Sequence, residues 1–149
     1  MTIIISIKPR FSQLIFAGAK KYEIRKTPIK NRGEKLVFVY ESAPTKAIVG
    51  SFKIKEVFKQ APKTIWDLWK EALGISEREF FEYFKGRQWG YAIQVEQPKR
   101  LKRQIPLNEL RTIEAAWRPP QSLQYLKENS EIKQFLKIAS CVREIHTKK

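Results

Sequence analysis

The stretch Gly18-Ala-Lys-Lys-Tyr-Glu-Ile-Arg25 (GAKKYEIR) carries four charged side chains within eight residues. It follows an apolar run with helical spacing and precedes a loop rich in turn-forming residues. Tyr22 and Ile24 alternate with charged residues, as they would in a strand that buries one face. We therefore expect these two side chains to face the core of the fold. The opposite face of this strand is then charged, and it consists of Lys21, Glu23 and Arg25.

The charged face has two interpretations, and the residues alone leave both open. On an exposed sheet it is a row of solvated ion pairs worth about 0–1 kcal/mol. In a cleft, the carboxylate of Glu23 stays ionised between cations and holds them in a fixed geometry. Lys20, at the corner between helix and strand, can point into the same cleft. Such a cluster would bind a phosphate through its cations, and a base edge or a water through Glu23.

The hydrophobic pattern on both sides predicts the element order β-α-β-β-β-α-α-β-(β)-α. Besides the quoted stretch, strands are predicted over 2–7, 36–40, 46–58 and 89–95. Gly50 inside a strand indicates a bulge or bend. Five or six strands with short connections favour an α+β fold: a small, mainly antiparallel β-barrel, closed or half-closed, with helices packed over its ends. Strand periodicity is equally compatible with an open α+β sheet.

The charge balance is strongly positive. Thirty Lys and Arg residues stand against 15 Asp and Glu, for a net charge of +15, and the excess runs through both halves of the chain. A surface this positive gathers polyanions, because each neutralised phosphate releases a counterion. The balance therefore predicts a nucleic acid or nucleotide as partner, with solubility as the alternative explanation.

Cysteine and histidine usage excludes several kinds of site. The single Cys141 excludes an internal disulfide and a zinc site built from several cysteines. The lone His146 lies close to the C-terminus, a poor place for the base of a catalytic triad. No metal and no cofactor are predicted. The apolar run Ile3-Ile4-Ile5 is too short for a signal peptide or a membrane span, so we expect a soluble, cytoplasmic protein without a membrane partner.

The pattern Gly18-x-Lys20-x-x-Glu23-x-Arg25 resembles the G-x-K-x-x-E-x-R signature of the ASCH family, a branch of the PUA-like β-barrels. The surroundings fit: a strand ending in SIKP and a helix precede the motif, and AIVGSFKIKEV and WGYAIQV follow it. The resemblance covers about residues 2–97, and RPPQSLQYL (Arg118 to Leu126) is similar to the tail of some relatives. It implies one ASCH/PUA-like domain over 1–126, with 127–149 as a C-terminal helical extension of the same domain.

The resemblance also implies a cleft between the first helix and the barrel that binds RNA or nucleotides. Two residues where the first strand meets a helix N-terminus, two aromatic residues on one strand face and a basic patch add candidate contacts to the motif. The predicted nucleic-acid-binding residues are Lys8, Arg10, Lys20, Lys21, Glu23, Arg25, Trp89, Tyr91, Lys99, Arg100, Lys102 and Arg103. An RNA-binding module is the leading hypothesis, and a polar contact from Gln121 and Ser122 is a further guess. The oligomeric state is not predicted, and a monomer is assumed.

Two alternatives remain. The first is an enzyme with Lys20 and Glu23 as its acid/base pair, either a hydrolase of a modified nucleoside or a ribonuclease. One group of relatives hydrolyses acylated cytidine with a Lys at the Lys20 position, a Thr at the Glu23 position and a distant Glu. Here Glu23 replaces that Thr, and only Glu71 lies near the place of the second carboxylate. The second alternative is a DNA-binding transcriptional regulator, which some longer relatives resemble.

Overall fold

The computed structural model of the protein describes residues 2–30 and 35–147, with side chains described as far as residue 140. Asn31 and Gly33 of the turn-rich loop after the motif lie outside the described residues. The side chains of Cys141 and His146 also lie outside them.

Six strands form one mixed sheet. In chain order they are β1 (Thr2–Ile7), β2 (Tyr22–Arg25), β3 (Leu36–Glu41), β4 (Ala47–Gln60), β5 (Gly90–Pro106) and β6 (Leu123–Leu126). Their order across the sheet is β2-β5-β4-β3-β1-β6. β1 and β3 run parallel, while the other neighbouring pairs are antiparallel. The predicted α+β fold with a mainly antiparallel, half-closed barrel is therefore confirmed.

In residues 2–30 and 35–147, five helices pack against this sheet. They are α1 (Pro9–Phe16), α2 (Pro62–Trp69), α3 (Glu77–Tyr83), α4 (Leu107–Ile113) and α5 (Glu131–Thr147), with a short 3-10 turn over Lys70–Ala72. α1 begins with Pro9, whose missing N–H costs nothing at a helix start. Gly18 adopts φ +83° after this helix and turns the chain toward β2. None of the helices in residues 2–30 and 35–147 is long and apolar enough to cross a membrane.

The inner face of the curved sheet buries the main core. Isoleucines of β1 meet valines of β3 and β4, and Ile15 of α1 and Ile93 of β5 complete this cluster. At Gly50 a Cβ would lie 2.5 Å from the Lys99 carbonyl oxygen and 2.5 Å from the Phe16 ring. The β3–β4 and β4–β5 registers shift next to this glycine, so the predicted bulge is confirmed.

The outer face of the sheet is covered in two places. α4, α5 and Trp117 pack over β1, β3 and β4. α2 and α3 pack over β2 and β5, where Ile24 and Ala92 meet aromatic residues of both helices. Tyr22 belongs to the same outer cluster and stacks on Trp69, with ring centroids 4.6 Å apart.

This arrangement corrects one sequence prediction. Ile24 is buried and Tyr22 is partly buried, but both lie beneath the helices on the outside of the sheet and not in the barrel core. Glu23 lies directly opposite Ile93, whose side chain is part of the inner cluster. Residues that are directly opposite in an antiparallel pair point to the same face, so Glu23 points inward. Strand alternation predicted two faces correctly but could not tell which one is inside.

Two further differences concern strands. β6 was expected only as a tail, yet it pairs with β1 from Thr2↔Leu126 to Ile5↔Leu123. The bracketed element of the predicted order, an edge strand or turn over the basic stretch 99–103, is part of the long strand β5 and pairs with β4, with Ser51 opposite Lys99. The proposed boundary at residue 126 stays a prediction. α5 contributes Ile132 and Leu136 to an outer cluster that also contains Ile4, so it packs directly on the sheet.

Candidate nucleic-acid interface

An open groove of about 840 Å³ lies where β1, β2, α1 and α3 come together. It contains five of the residues predicted from the sequence, Lys8, Arg10, Lys20, Glu23 and Arg25. Gln121 and Ser122, which precede β6, also line it. Three of the four charged residues of the GAKKYEIR stretch, Lys20, Glu23 and Arg25, therefore meet in a recess.

The floor of the groove is a buried charge cluster. The Lys20 ammonium lies 3.6 Å from Glu23 Oε1, and an Arg25 guanidinium nitrogen lies 3.3 Å from Glu23 Oε2. Their side chains are only 1%, 5% and 13% exposed, in the order Lys20, Glu23, Arg25. The Ile24 backbone N–H also donates to the Glu23 carboxylate at 2.9 Å. Two cations against one carboxylate leave the cluster with one positive charge in excess.

Burial and pairing set the protonation of this cluster. Burial lowers the pKa of Lys20, and the neighbouring Arg25 lowers it further, while Glu23 opposes both. Burial would raise the pKa of Glu23, but Arg25 and Lys20 outweigh it and hold that pKa below its ordinary value. Glu23 is thus a carboxylate at neutral pH, and Lys20 releases its proton more easily than an exposed lysine does.

The turn after α1 and the link before α3 position Lys20. The Lys20 backbone N–H donates to the Leu14 carbonyl at the end of α1, and the Lys20 ammonium donates to the Leu73 carbonyl. Gly74 follows with φ +65°, and a Cβ there would lie 3.3 Å from the Cβ of Lys20. A glycine therefore lets this link lie directly against the lysine stem.

Arg25 joins the two sides of the half-barrel. β2 is one edge of the sheet, and β6 covers β1 only as far as Ile5. Beyond that point Arg25 donates to the Ser6 carbonyl at 2.9 Å and to the Ile24 carbonyl at 2.8 Å. This arginine bridges the gap between β2 and the end of β1, and its two carbonyl contacts hold it where the groove begins.

α3 forms the opposite wall through its polar face. Arg78, Glu79, Glu82 and Tyr83 line the groove, while Phe80 of the same helix and Phe84 just after it face the outer core. The Ser76 hydroxyl caps the helix by accepting from the Glu79 N–H. Arg10 of α1 makes a two-bond ion pair with Glu79, at 2.6 and 3.1 Å. This pair links α3 to α1 across the groove.

Sequence reasoning missed the contribution of α3. Phe80 of this helix and Phe84 just after it pack into the outer cluster. Arg78 and Tyr83 were not recognised as groove residues. The polar stripe opposite the phenylalanines was a readable signal, but only the tertiary fold brings that stripe over the motif.

The remaining predicted residues lie outside this groove. Lys21 is exposed and lines a second, smaller cavity of about 270 Å³ together with Gly18, Gln94 and Pro98. Its placement beside Glu23 and Arg25 in one cleft is therefore wrong. Trp89 and Tyr91 are not among the residues that line the groove.

The basic patch lies further along β5. Lys99, Arg100 and Lys102 are exposed, and the Arg100 guanidinium lies 4.8 Å from the centre of the Phe16 ring. Arg103 makes a two-bond ion pair with Glu109, at 2.7 and 2.9 Å, so much of its charge is compensated. Their contact with nucleic acid stays a prediction.

The described residues offer little support for acylcytidine hydrolysis or for a metal site. Glu71, the only candidate for a second carboxylate of the acylcytidine hydrolases, is exposed and does not line the groove. Within residues 2–30 and 35–147, no group of three or more His, Cys, Asp or Glu side chains is arranged to hold a metal ion.

Comparison with known proteins places the chain in a family. The domain of unknown function DUF365 matches residues 1–117. The chain belongs to the DUF365 family. Over 125 residues it is also 26% identical to the ASCH domain-containing ribonuclease of Zymomonas mobilis, an alignment that covers 84% of each protein.

Solved structures agree with this placement. The crystal structure of ASCH from Zymomonas mobilis superposes with a TM-score of 0.84 at 25% identity, over 92% of this chain and 94% of that one. Human THYN1, solved in complex with DNA containing 5-methylcytosine, shares the fold with a TM-score of 0.57 at 18% identity, over 93% of this chain and 96% of that one. The predicted resemblance to the ASCH family and its PUA-like fold is confirmed.

Proposed function

We propose that the protein binds single-stranded RNA, with one nucleotide seated in the groove between α1, α3 and the end of β1. The observation that carries this proposal is the buried cluster of Lys20, Glu23 and Arg25 on the floor of an open, 840 Å³ groove. Its unbalanced positive charge is suited to a phosphate, because buried charge is stabilised by a compensating ion.

The rim of the groove adds to this attraction. Lys8 and Arg78 are exposed there, and both line the groove. The acidic residues of α3 oppose them only in part, since Glu79 is paired with Arg10. A net charge of +15 extends the positive field over the whole molecule.

RNA is preferred to DNA because the relative that aligns over 84% of both proteins is a ribonuclease. The complex of human THYN1 with DNA shows that the shared fold also accommodates DNA. A DNA-binding regulator is therefore the outcome that would replace the RNA proposal. A cytoplasmic location remains a prediction that goes with RNA binding.

Fluorescence anisotropy with a labelled RNA oligomer, the matching DNA oligomer and both duplexes tests the proposal. We expect the single-stranded RNA to bind most tightly, and Lys8→Ala and Arg78→Ala to weaken it. Lys55→Ala removes an exposed cation of β4 that does not line the groove, and it serves as the control. Equal loss in all three variants would show that binding is diffuse and that the groove is not the site. A preference for duplex DNA would overturn the assignment to RNA.

A second candidate is a ribonuclease, favoured by the lowered pKa of Lys20 at the groove floor and by the ribonuclease relative. In this reaction the ribose 2′-oxygen attacks the adjacent phosphorus as the bond to the 5′-oxygen breaks, leaving a 2′,3′-cyclic phosphate. Glu23, as a carboxylate, would take the proton from the 2′-hydroxyl, and Lys20, as an ammonium, would give a proton to the 5′-oxygen. Arg25 would stabilise the added negative charge on the phosphorus centre.

Gel analysis of end-labelled RNA, with and without divalent ions, tests this activity. We expect cleavage by the wild type, with a rate that falls as the pH rises through the lowered pKa of Lys20, below the ordinary lysine value of about 10.4. Lys20→Met should abolish cleavage while the protein keeps its circular dichroism spectrum. If that variant does not fold, the pH profile of the wild type decides. Absence of cleavage by the wild type under all conditions removes the candidate and leaves RNA binding intact.

A further inference from the structure

We infer that Trp89, together with Lys59, forms a stacking platform for the nucleotide next to the one in the groove. This inference rests on the proposed binding of single-stranded RNA. It assigns a second subsite to the same interface, outside the cavity, and it defines the ligand as an oligonucleotide of at least two residues.

The strand register connects the platform to the groove. Arg25, the groove residue that ends β2, lies directly opposite Tyr91 of β5, and Tyr91 lies opposite Lys59 of β4. Residues opposite each other in antiparallel strands share a face, so these three side chains lie in one row across the sheet. Trp89 lies two residues before Tyr91, just ahead of Gly90, the first residue of β5, and two residues of extended chain span roughly 7 Å. β2 has ended there and does not cover it.

Trp89 has the properties of a contact residue. Its side chain is 43% exposed, although tryptophan is a costly residue to leave in water. Within the described part of the chain it belongs to none of the three apolar clusters, unlike Trp66, Trp69 and Trp117. The fold therefore leaves a large flat ring open beside a charged groove.

Lys59 completes the site. Its ammonium lies 5.1 Å from the centre of the Trp89 ring, and the side chain is exposed. A ring that accepts a base and an adjacent cation that accepts a phosphate are the two elements of sequence-tolerant single-strand binding. Charge complementarity and continuity with the groove thus favour a nucleotide as the occupant of this surface.

A length series of oligouridylates tests the inference, with uridine monophosphate as the ligand that fills the groove alone. In the wild type, affinity should rise steeply from the monophosphate to the trinucleotide. Trp89→Ala should weaken the trinucleotide about tenfold, because one stacked base is lost, and leave the monophosphate unchanged. Trp89→Phe should retain most of the affinity. The matched control is Lys55→Ala, and thermal unfolding confirms that each variant is folded.

The outcomes separate this inference from the proposed function. If Trp89→Ala binds the trinucleotide as the wild type does while Lys8→Ala is weakened, the platform is wrong and the groove remains. If Trp89→Ala changes only the oligomeric state, the exposed ring serves a second copy of the chain and the inference is overturned. If the wild type binds no oligonucleotide, the proposed function itself has failed. Should Trp89→Ala not fold, Lys59→Ala decides: unchanged affinity for the trinucleotide would contradict the platform.

Discussion

Glu23 is the residue on which the charge balance of the groove depends. Its carboxylate contacts both Lys20 and Arg25 and accepts the Ile24 N–H, so its oxygens are occupied by partners from its own strand and the preceding corner. Burying a carboxylate is costly unless such partners are present. The motif therefore keeps two cations close together while both remain buried.

We expect Glu23→Ala to lower the free energy of unfolding by about 3–5 kcal/mol, because two buried cations lose their partner. Urea unfolding at pH 7 measures this. Glu79→Ala breaks the exposed pair with Arg10 and should change stability little, so it serves as the control. Equal effects of the two variants would contradict the burial of the Lys20–Glu23–Arg25 cluster.

Because the pKa of Glu23 is lowered in the folded protein, the free energy of unfolding depends on pH in the acid range. As the pH falls, the unfolded chain takes up this proton first, near the ordinary glutamate pKa of about 4.3. The stabilisation by Glu23 is therefore present above that pH and is lost as the pH falls through the folded-state pKa. Unfolding measured from neutral to acid pH should show the wild type losing its advantage over Glu23→Gln. A constant difference down to about pH 3 would refute the lowered pKa.

At the scale of elements, the groove depends on close contacts between α1 and the long strands. Gly50 of β4 lies under the Phe16 ring at the end of α1 and against the Lys99 carbonyl of β5. Any side chain at this position would push the helix away from the sheet. The bulge at Gly50 thus helps to set where α1 ends, and with it the corner that holds Lys20.

Gly50→Ala should lower the free energy of unfolding by about 1–3 kcal/mol through overpacking. Phe16→Leu removes the ring that the new Cβ meets, so the double variant should be less destabilised than the sum of the single ones. Gly86 has φ +75° and open space around it, so Gly86→Ala suffers only backbone strain and should combine additively with Phe16→Leu. Additive behaviour at Gly50 would show that the ring is not in contact.

At the scale of the whole molecule, the net charge of +15 attracts polyanions, and this attraction depends on distance and on ionic strength. Exposed cations occur at the groove, on β4 and on β5. Such a distribution attracts any polyanion weakly and at long range, while the groove provides one place where binding is fixed in geometry.

We therefore expect RNA affinity to fall linearly with the logarithm of salt concentration, with a slope of about −0.7 per neutralised phosphate. Lys8→Ala should make this slope shallower by about 0.7, because one phosphate contact at the groove is lost. Lys63→Ala should not change it, since Lys63 is on α2, is paired with Asp67 and does not line the groove. A salt-independent affinity would argue against polyanion binding.

The sequence was sufficient where neighbours along the chain decide the structure. The helix before Gly18, the alternation in β2 and the bulge at Gly50 follow from spacing, turn chemistry and side-chain size, and all three are observed. The motif from Gly18 to Arg25 also pointed to the correct family. The short strand β6 was missed, because four residues after two prolines carry too little pattern to be recognised.

By itself, then, the sequence determined the motif, most of the elements and the positive charge, all of which are local or additive properties. The tertiary structure alone decided which face of β2 is inside and that α3 forms the far wall of the groove. Those features depend on contacts between distant residues, such as Lys20 with Leu73 and Arg10 with Glu79. Which face of a strand points inward depends on the elements that pack against each face. The sequence pattern of one strand carries no information about those elements.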